Sequence, residues 1–199
     1  AYRVEPVVRI GKNFRIGTSG KANEEIVDYL FVMKEFPEDM LFDKMTDHGE
    51  LDRFEMMDTA ERIYEMHSKA KIVKSRDPVD IIRGRILENN AMIRCFTPSV
   101  FDADDVDALE AAQFTELENV KELLKKRGDE GKIRECHGDL NLRNIAICDG
   151  KVTVFNPIEF YDELTNIDIL YDFAFLLLDM ESKGLRRLSS ILFNHYMKY

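Results

Sequence analysis

His137-Gly138-Asp139-Leu140-Asn141-Leu142-Arg143-Asn144 is the densest polar run of the chain. It lies between a long helical pattern and a hairpin pattern, so it reads as a loop. Loops held on a rigid scaffold are where reactive groups collect. The spacing H-x-D-x-x-x-x-N has a mechanical meaning. A carboxylate at Asp139 accepts the proton of a substrate hydroxyl, and an amide five residues on, Asn144, ligates a metal ion that bridges nucleotide phosphates. The bland reading is a polar turn in which Asp139 and Asn144 satisfy nearby backbone groups. Asn156 adds weight to the first reading. It follows Asn144 by twelve residues, past the hairpin, in Val154-Phe155-Asn156-Pro157. Phosphoryl-transfer enzymes of the kinase type deliver a metal-binding Asp from a strand end at this place. A lone Asn-Pro would be a turn signal and no more.

The flanks of the loop set its context. Leu140–Cys148 and Lys151–Phe155 are β-like runs around Asp149-Gly150, a strong hairpin signal. Upstream, Asp102 or Asp104 caps a helix running to Arg127. Its apolar stripe is Val106, Leu109, Gln113, Leu117, Val120 and Leu124, and Gly128 and Gly131 end it. Asp77-Pro78 opens an earlier helix reaching about Cys95. Leu51–Ala70 places Met56, Ala60, Ile63 and His67 on one helical face. Downstream come two helices, roughly Asn166–Met180 and Leu185–Tyr196. The front of the chain is different. Tyr2, Val4, Val7, Val8 and Ile10 are strand-like, Gly11 to Lys21 suits turns, and Ile26–Met33 reads as a buried strand ended by Pro37. The expected organisation is α+β: a β region over 1–36, then a helical body over 37–199 carrying one polar hairpin.

Composition bounds the function. The 199 residues are 45% hydrophobic and 33% charged, enough apolar content for a core and too much for a disordered chain. The longest apolar run, Phe173–Leu178, is far short of a membrane span. The first residues lack the shape of a signal peptide. Three cysteines, an odd number, point to a reducing compartment and hence the cytoplasm. A net charge of -10 disfavours nucleic acid and anionic membrane as partners. An anionic small substrate would need a local basic group or a bound cation.

The stretch 134–160, RECHGDLNLRNIAICDGKVTVFNPIEF, followed by IDILYDFAFLLLDM at 167–180, resembles the aminoglycoside phosphotransferase and choline kinase-like family. The similarity is greatest to a bacterial branch sometimes fused to a P-loop kinase domain, and it extends over most of the chain. The resemblance implies a two-lobed, protein kinase-like fold with a truncated N-terminal β lobe and a mainly helical C-terminal lobe. It implies an ATP-dependent (or GTP-dependent) phosphotransferase that acts on a small-molecule hydroxyl with Mg2+. Asp139 would be the catalytic base, and Asn144 and Asn156 the metal ligands. His137 would hold the loop in shape, and Asp172 would brace it from a buried helix. Met33, Lys34, Glu35 and Phe36 would form the hinge whose backbone meets the nucleotide base.

Three departures from the family stand out. Asn141 replaces a His, and Asn156 replaces an Asp, leaving Glu159 or Asp162 as the nearby carboxylates. The family's phosphate-covering loop, strand Lys and partner Glu belong ahead of the segment matching Tyr2. No G-x-x-x-x-G-K-[ST] spacing takes their place. These departures favour an alternative, a degenerate pseudokinase-like binding or scaffold module. Without the missing strands, the Tyr2–Ile10 strand is expected to present an unpaired edge and to support a homo-oligomer. The remaining candidates read as structure. His67 is a core histidine, Cys136 a structural thiol, and Asp102–Asp107 a helix start that complements the dipole. A metal hydrolase built on His137 and Asp139 lacks further ligands.

Overall fold

Arg3–Ile10 (β1), Asn13–Ile16 (β2) and Glu25–Val32 (β3) form an antiparallel sheet in the order β2-β1-β3 in the computed structural model, which describes residues 3–17, 25–32, 37–74 and 76–199. β1 and β2 turn through Gly11-Lys12, with Ile10 opposite Asn13 and Gly11 at φ 62. β1 pairs with β3 from Arg3↔Val32 to Arg9↔Glu25, with a bulge between Val7 and Val8. Two expectations are corrected here. β1 is the middle strand, hydrogen-bonded on both sides, so the edges of the sheet are β2 and β3. β3 is a strand, but none of its residues is buried. Within this sheet only Val8 is buried. Backbone ladders satisfy the strands, while the described residues of this unit supply no second layer to cover them.

The chain divides into two compact units, residues 1–38 and 39–199. The second unit is helical with short strands, and the chain as a whole is mixed α+β. Phe42–His48 (α1) and Arg53–Lys69 (α2) come first. Asp52 starts α2 with a reciprocal capping box to Glu55. Pro78–Arg94 (α3) begins at an Asp77 cap with proline in its first turn. Ala103–Asp129 (α4) begins at an Asp102 cap. Gly128 lies in the last turn of α4, which ends at Asp129. A Cβ there would sit 2.6 Å from the Pro78 ring, so the glycine lets α3 and α4 meet closely. Gly131, at φ 71, turns the chain away instead. The predicted stripe on α4 is partly right: Val106 and Leu117 are buried, but Leu109 is 44% exposed.

Ile133–Glu135 (β4) follows, then the loop, then the hairpin Ile145–Cys148 (β5) and Lys151–Val154 (β6). Its two-residue turn, Asp149 at φ 52 and Gly150 at φ 73, has the positive dihedrals that match strand twist. Asp162–Thr165 (α5), Asn166–Asp168 (β7), Ile169–Ser182 (α6) and Arg186–Tyr196 (α7) complete the chain. The helix expected from Asn166 starts at Ile169. Asn166–Asp168 pairs with β4 instead, and the Asp168 side chain caps α6 by accepting the Leu170 N–H. The main core packs Met56, Ala60 and Ile63 of α2 against Phe173, Leu176 and Met180 of α6, with Leu192 and Tyr196 of α7. Leu140, Leu142 and Ile145 are buried in that same core, which pins the middle and the C-terminal end of the polar loop. Among the described residues no helix is long and apolar enough to cross a membrane.

Candidate functional site

The β4–β7 ladder places the site. Ile133 pairs with Asp168 and Glu135 with Asn166, and the Cys136 N–H continues the register onto the Thr165 carbonyl at 2.7 Å. The chain leaving β4 therefore runs past the start of α6. Asp172, one turn into α6, meets it. One carboxylate oxygen of Asp172 accepts the Gly138 N–H at 2.9 Å, and the other accepts the His137 N–H at 3.2 Å. Asp172 is 1% exposed. Burial of a charge requires such partners. Gly138 is required at the crossing: φ is +82, and an added Cβ would lie 3.1 Å from the Leu164 carbonyl oxygen. Asp168 is anchored in turn by Arg127, whose Nε and Nη2 donate to its two oxygens at 2.6 and 2.7 Å. That hydrogen bond holds the Arg127 guanidinium above its ordinary pKa.

His137 is buried, and its ring ties the loop to the chain beyond the hairpin. Nε2 donates to the Phe155 carbonyl at 2.7 Å, so the neutral ring leaves Nδ1 to accept the Asp139 N–H at 3.3 Å. The Ile158 N–H returns to the His137 carbonyl, and the Phe155 N–H to the Asn144 carbonyl. These bonds bring the three central residues together. Asn144 Nδ2 donates to Asp139 Oδ2 at 3.0 Å. Asn156 Nδ2 donates to Asn144 Oδ1 at 3.3 Å. Asn156 holds φ 60, a left-handed conformation that asparagine tolerates better than most residues. Asn141 Nδ2 donates to Asp139 Oδ1 at 2.9 Å, and its Oδ1 accepts the Arg143 N–H, capping the single 3-10 turn at Leu142–Asn144. Met33, Lys34, Glu35 and Phe36 lie outside the described residues.

Two participants escaped the sequence reading. Asp179 on α6 accepts the Leu142 N–H at 2.9 Å. His67, expected as a core histidine and buried as such, bonds Asp172 Oδ2 through Nε2 at 3.1 Å and the Tyr196 hydroxyl through Nδ1 at 2.8 Å. The helical spacing that put His67 on the apolar face was the available signal; its partners, 105 and 129 residues away, gave none. His67, Cys136 and Asp172 also bring potential metal-ligating atoms within 4.8 Å of one another. Their hydrogen bonds already engage them. Burial, reinforced by the charges of Asp172 and Asp168, pushes the Cys136 thiol far up, so it stays protonated and donates to the Ile167 carbonyl. A thiol held protonated in this way is a poor nucleophile.

No protein-family model matches the chain. No solved structure matches it either. Its sequence is similar to an uncharacterized protein of Mycobacterium bovis and to two uncharacterized proteins of Mycobacterium tuberculosis, each 28% identical over 123 residues. The matched stretch is 62% of this chain and 25% of each relative, so the chain spans about a quarter of their length.

Proposed function

We propose that the unit 39–199 is the helical lobe of a protein kinase-like phosphotransferase that moves a phosphoryl group from ATP or GTP to the hydroxyl of a small molecule. One observation carries this reading. Asp139, Asn144 and Asn156, spread over eighteen residues with a hairpin between the last two, meet in one hydrogen-bonded chain. A polar turn that merely satisfied itself would not need Asn156 in a left-handed conformation or a buried Asp172 fixing the loop from another helix.

The residues do specific work in this scheme. Each oxygen of Asp139 accepts one amide N–H, from Asn141 or Asn144. A carboxylate has about four acceptor positions, so capacity is left for a substrate hydroxyl. Asp139 accepts that proton as the hydroxyl attacks phosphorus. Asn141 and Asn144 orient the carboxylate, and His137 and Asp172 keep the loop backbone in place. The donors around the site are a carboxylate and two amides, and their oxygens suit a hard cation such as Mg2+. Asn144 and Asn156 would hold it, and the ion, when bound, neutralises charge on the phosphates. The test is a coupled nucleotide-consumption assay on the chain against a panel of small hydroxyl compounds. Acceptor-dependent turnover that disappears in Asp139→Asn supports the proposal; a panel without turnover rejects it for those acceptors.

A second reading, a pseudokinase-like binding or scaffold module, is favoured by Asn156 itself. An amide brings no charge to a site where Mg2+ usually finds one or two carboxylates. Nucleotide binding without turnover would select it.

A further inference from the structure

Two surfaces of the unit 39–199 complement each other, and neither belongs to the candidate site. The first lies where α3 passes into α4. The helices run antiparallel there, with Arg94 at the end of α3 bonded to Asp107 of α4 at 2.8 Å and to Glu110. Beside that junction is a groove of about 240 Å³. Ile93, Val100, Phe101, Val106 and Leu109 give it apolar walls, and Asp102 and Asp105 complete the lining. Val100, Phe101 and Leu109 are exposed. Contiguous exposed apolar surface rimmed by polar groups marks an interaction site. Small-molecule sites begin at about 300 Å³, so this groove suits one or two protein side chains better than a ligand. Five acidic residues and no basic one fall between Val100 and Glu110, so the occupant should be apolar and basic. The second surface is the outer face of α7. Lys183–Tyr199 holds four lysines and arginines and no acidic residue, in a chain whose net charge is -10. Arg186, Ser190, Phe193 and Met197 follow one another at helical spacing, and all are exposed. Arg186 and Arg187 stand in the first turn, where positive charge opposes the helix dipole and no acidic residue lies beside them in that turn. Arg186 does reach back to Glu181 at 3.1 Å, but its side chain is 87% exposed and such a pair adds little. Leu192 and Tyr196 on the inner face pack into the core, so the outer stripe takes no part in it.

We propose that α7 of one copy docks Phe193 and Met197 into the α3–α4 groove of a second copy, with Arg186 and Arg187 set against Asp102, Asp104 and Asp105. Apolar anchors one turn apart on an amphipathic helix, entering an apolar groove, are a recurrent mode of recognition. Opposite charge steers the encounter and fixes its direction. Groove against groove, or α7 against α7, would set like charges together. The contact is therefore head to tail: each copy offers both halves, and a pair keeps one free groove and one free helix. Such contacts grow into an open chain or close into a ring. The contact does not depend on the phosphotransferase reading.

Sedimentation equilibrium on the 199-residue chain tests it, at concentrations up to about 1 mM because a single-helix contact belongs to the small, weak class of interfaces. The average mass should rise past that of a dimer with concentration, and fall back when added salt screens the charges. Two variants isolate the halves. Val100→Ser with Leu109→Ser removes the groove, and Phe193→Ser with Met197→Ser removes the helix anchors. All four residues are exposed, so both variants should keep the circular dichroism of the parent. Each variant alone should be monomeric. Mixed in equal amounts, they retain one working groove and one working helix, and should form a one-to-one dimer and nothing larger. If either variant fails to fold, Asp104→Ala with Asp105→Ala, and Arg186→Ala with Arg187→Ala, take their place in the same mixing test. A parent that is monomeric at every concentration overturns the proposal. An assembly that persists in either variant overturns it too, as association through the sheet β1–β3 would. So does a mixture of the two variants that stays monomeric.

Discussion

The sheet β1–β3 and the hairpin β5–β6 are both antiparallel ladders rich in β-branched residues, yet they stand at opposite extremes of burial. In the hairpin, Ile145 and Ala146 are fully buried and Val152 nearly so. In the sheet, Val8 alone is buried, and Phe14, Tyr29 and Phe31 are each more than half exposed. The comparison separates two contributions that a strand pattern mixes together. Ladder hydrogen bonds give a strand its shape, but each adds only about 0.5–1.5 kcal/mol net. Burial of side chains decides how much a strand adds to stability, and it also decides where polar atoms can be held still. The candidate site grows out of the buried hairpin and owes its order to the core beneath it.

Four changes break or sharpen this contrast. The largest expected effect is chemical. Under the proposed phosphotransfer, Asp139→Asn would remove the proton acceptor and should lower turnover by about 10²–10⁴-fold, with nucleotide affinity nearly constant. Steady-state kinetics and a nucleotide titration measure the two quantities; undiminished turnover would remove Asp139 from the mechanism. Next is packing. Ile145→Ala should destabilise the chain by about 2–5 kcal/mol in urea unfolding, because Ile145 is fully buried. A cost under about 1 kcal/mol would mean that the hairpin is not held by the core.

Asn156→Asp comes third. A charged oxygen in place of an amide should raise Mg2+-dependent nucleotide affinity by about tenfold, or 1.4 kcal/mol. Titrations with and without Mg2+ read it directly, and the absence of any Mg2+-dependent gain would leave the scaffold reading ahead. The smallest effect belongs to the sheet. Phe31→Ser, at a residue 61% exposed, should change stability by no more than about 0.5 kcal/mol. A loss comparable to that of Ile145→Ala would abolish the contrast and show that the sheet has a covering layer.

The sequence was most legible where local rules act. Asp77 and Asp102 cap helices because a carboxylate beside free N–H groups needs no distant partner. Asp149-Gly150 makes its turn for a similarly local reason, the tolerance of both residues for positive φ. The apolar spacing of α2 marked Met56, Ala60, Ile63 and His67 as one face, and all four are buried. The polar run at 137–144 could be singled out as a loop of chemical interest by its residue types alone. Exposure of β3 was not legible, since an apolar strand pattern states what could be buried and not whether anything is there to bury it.

Only the tertiary structure decided how the candidate site is held. The strands β4 and β7 are three residues each, too short to give a periodic signal, yet their pairing carries Asp172 to the loop amides. Nothing near His67 in the chain announces Asp172 or Tyr196, because the hydrogen bonds that define its role span more than a hundred residues. Residue type and spacing determined which groups are available to the site. Their partners were fixed by long-range strand register and by a core that leaves buried polar atoms no water to bond.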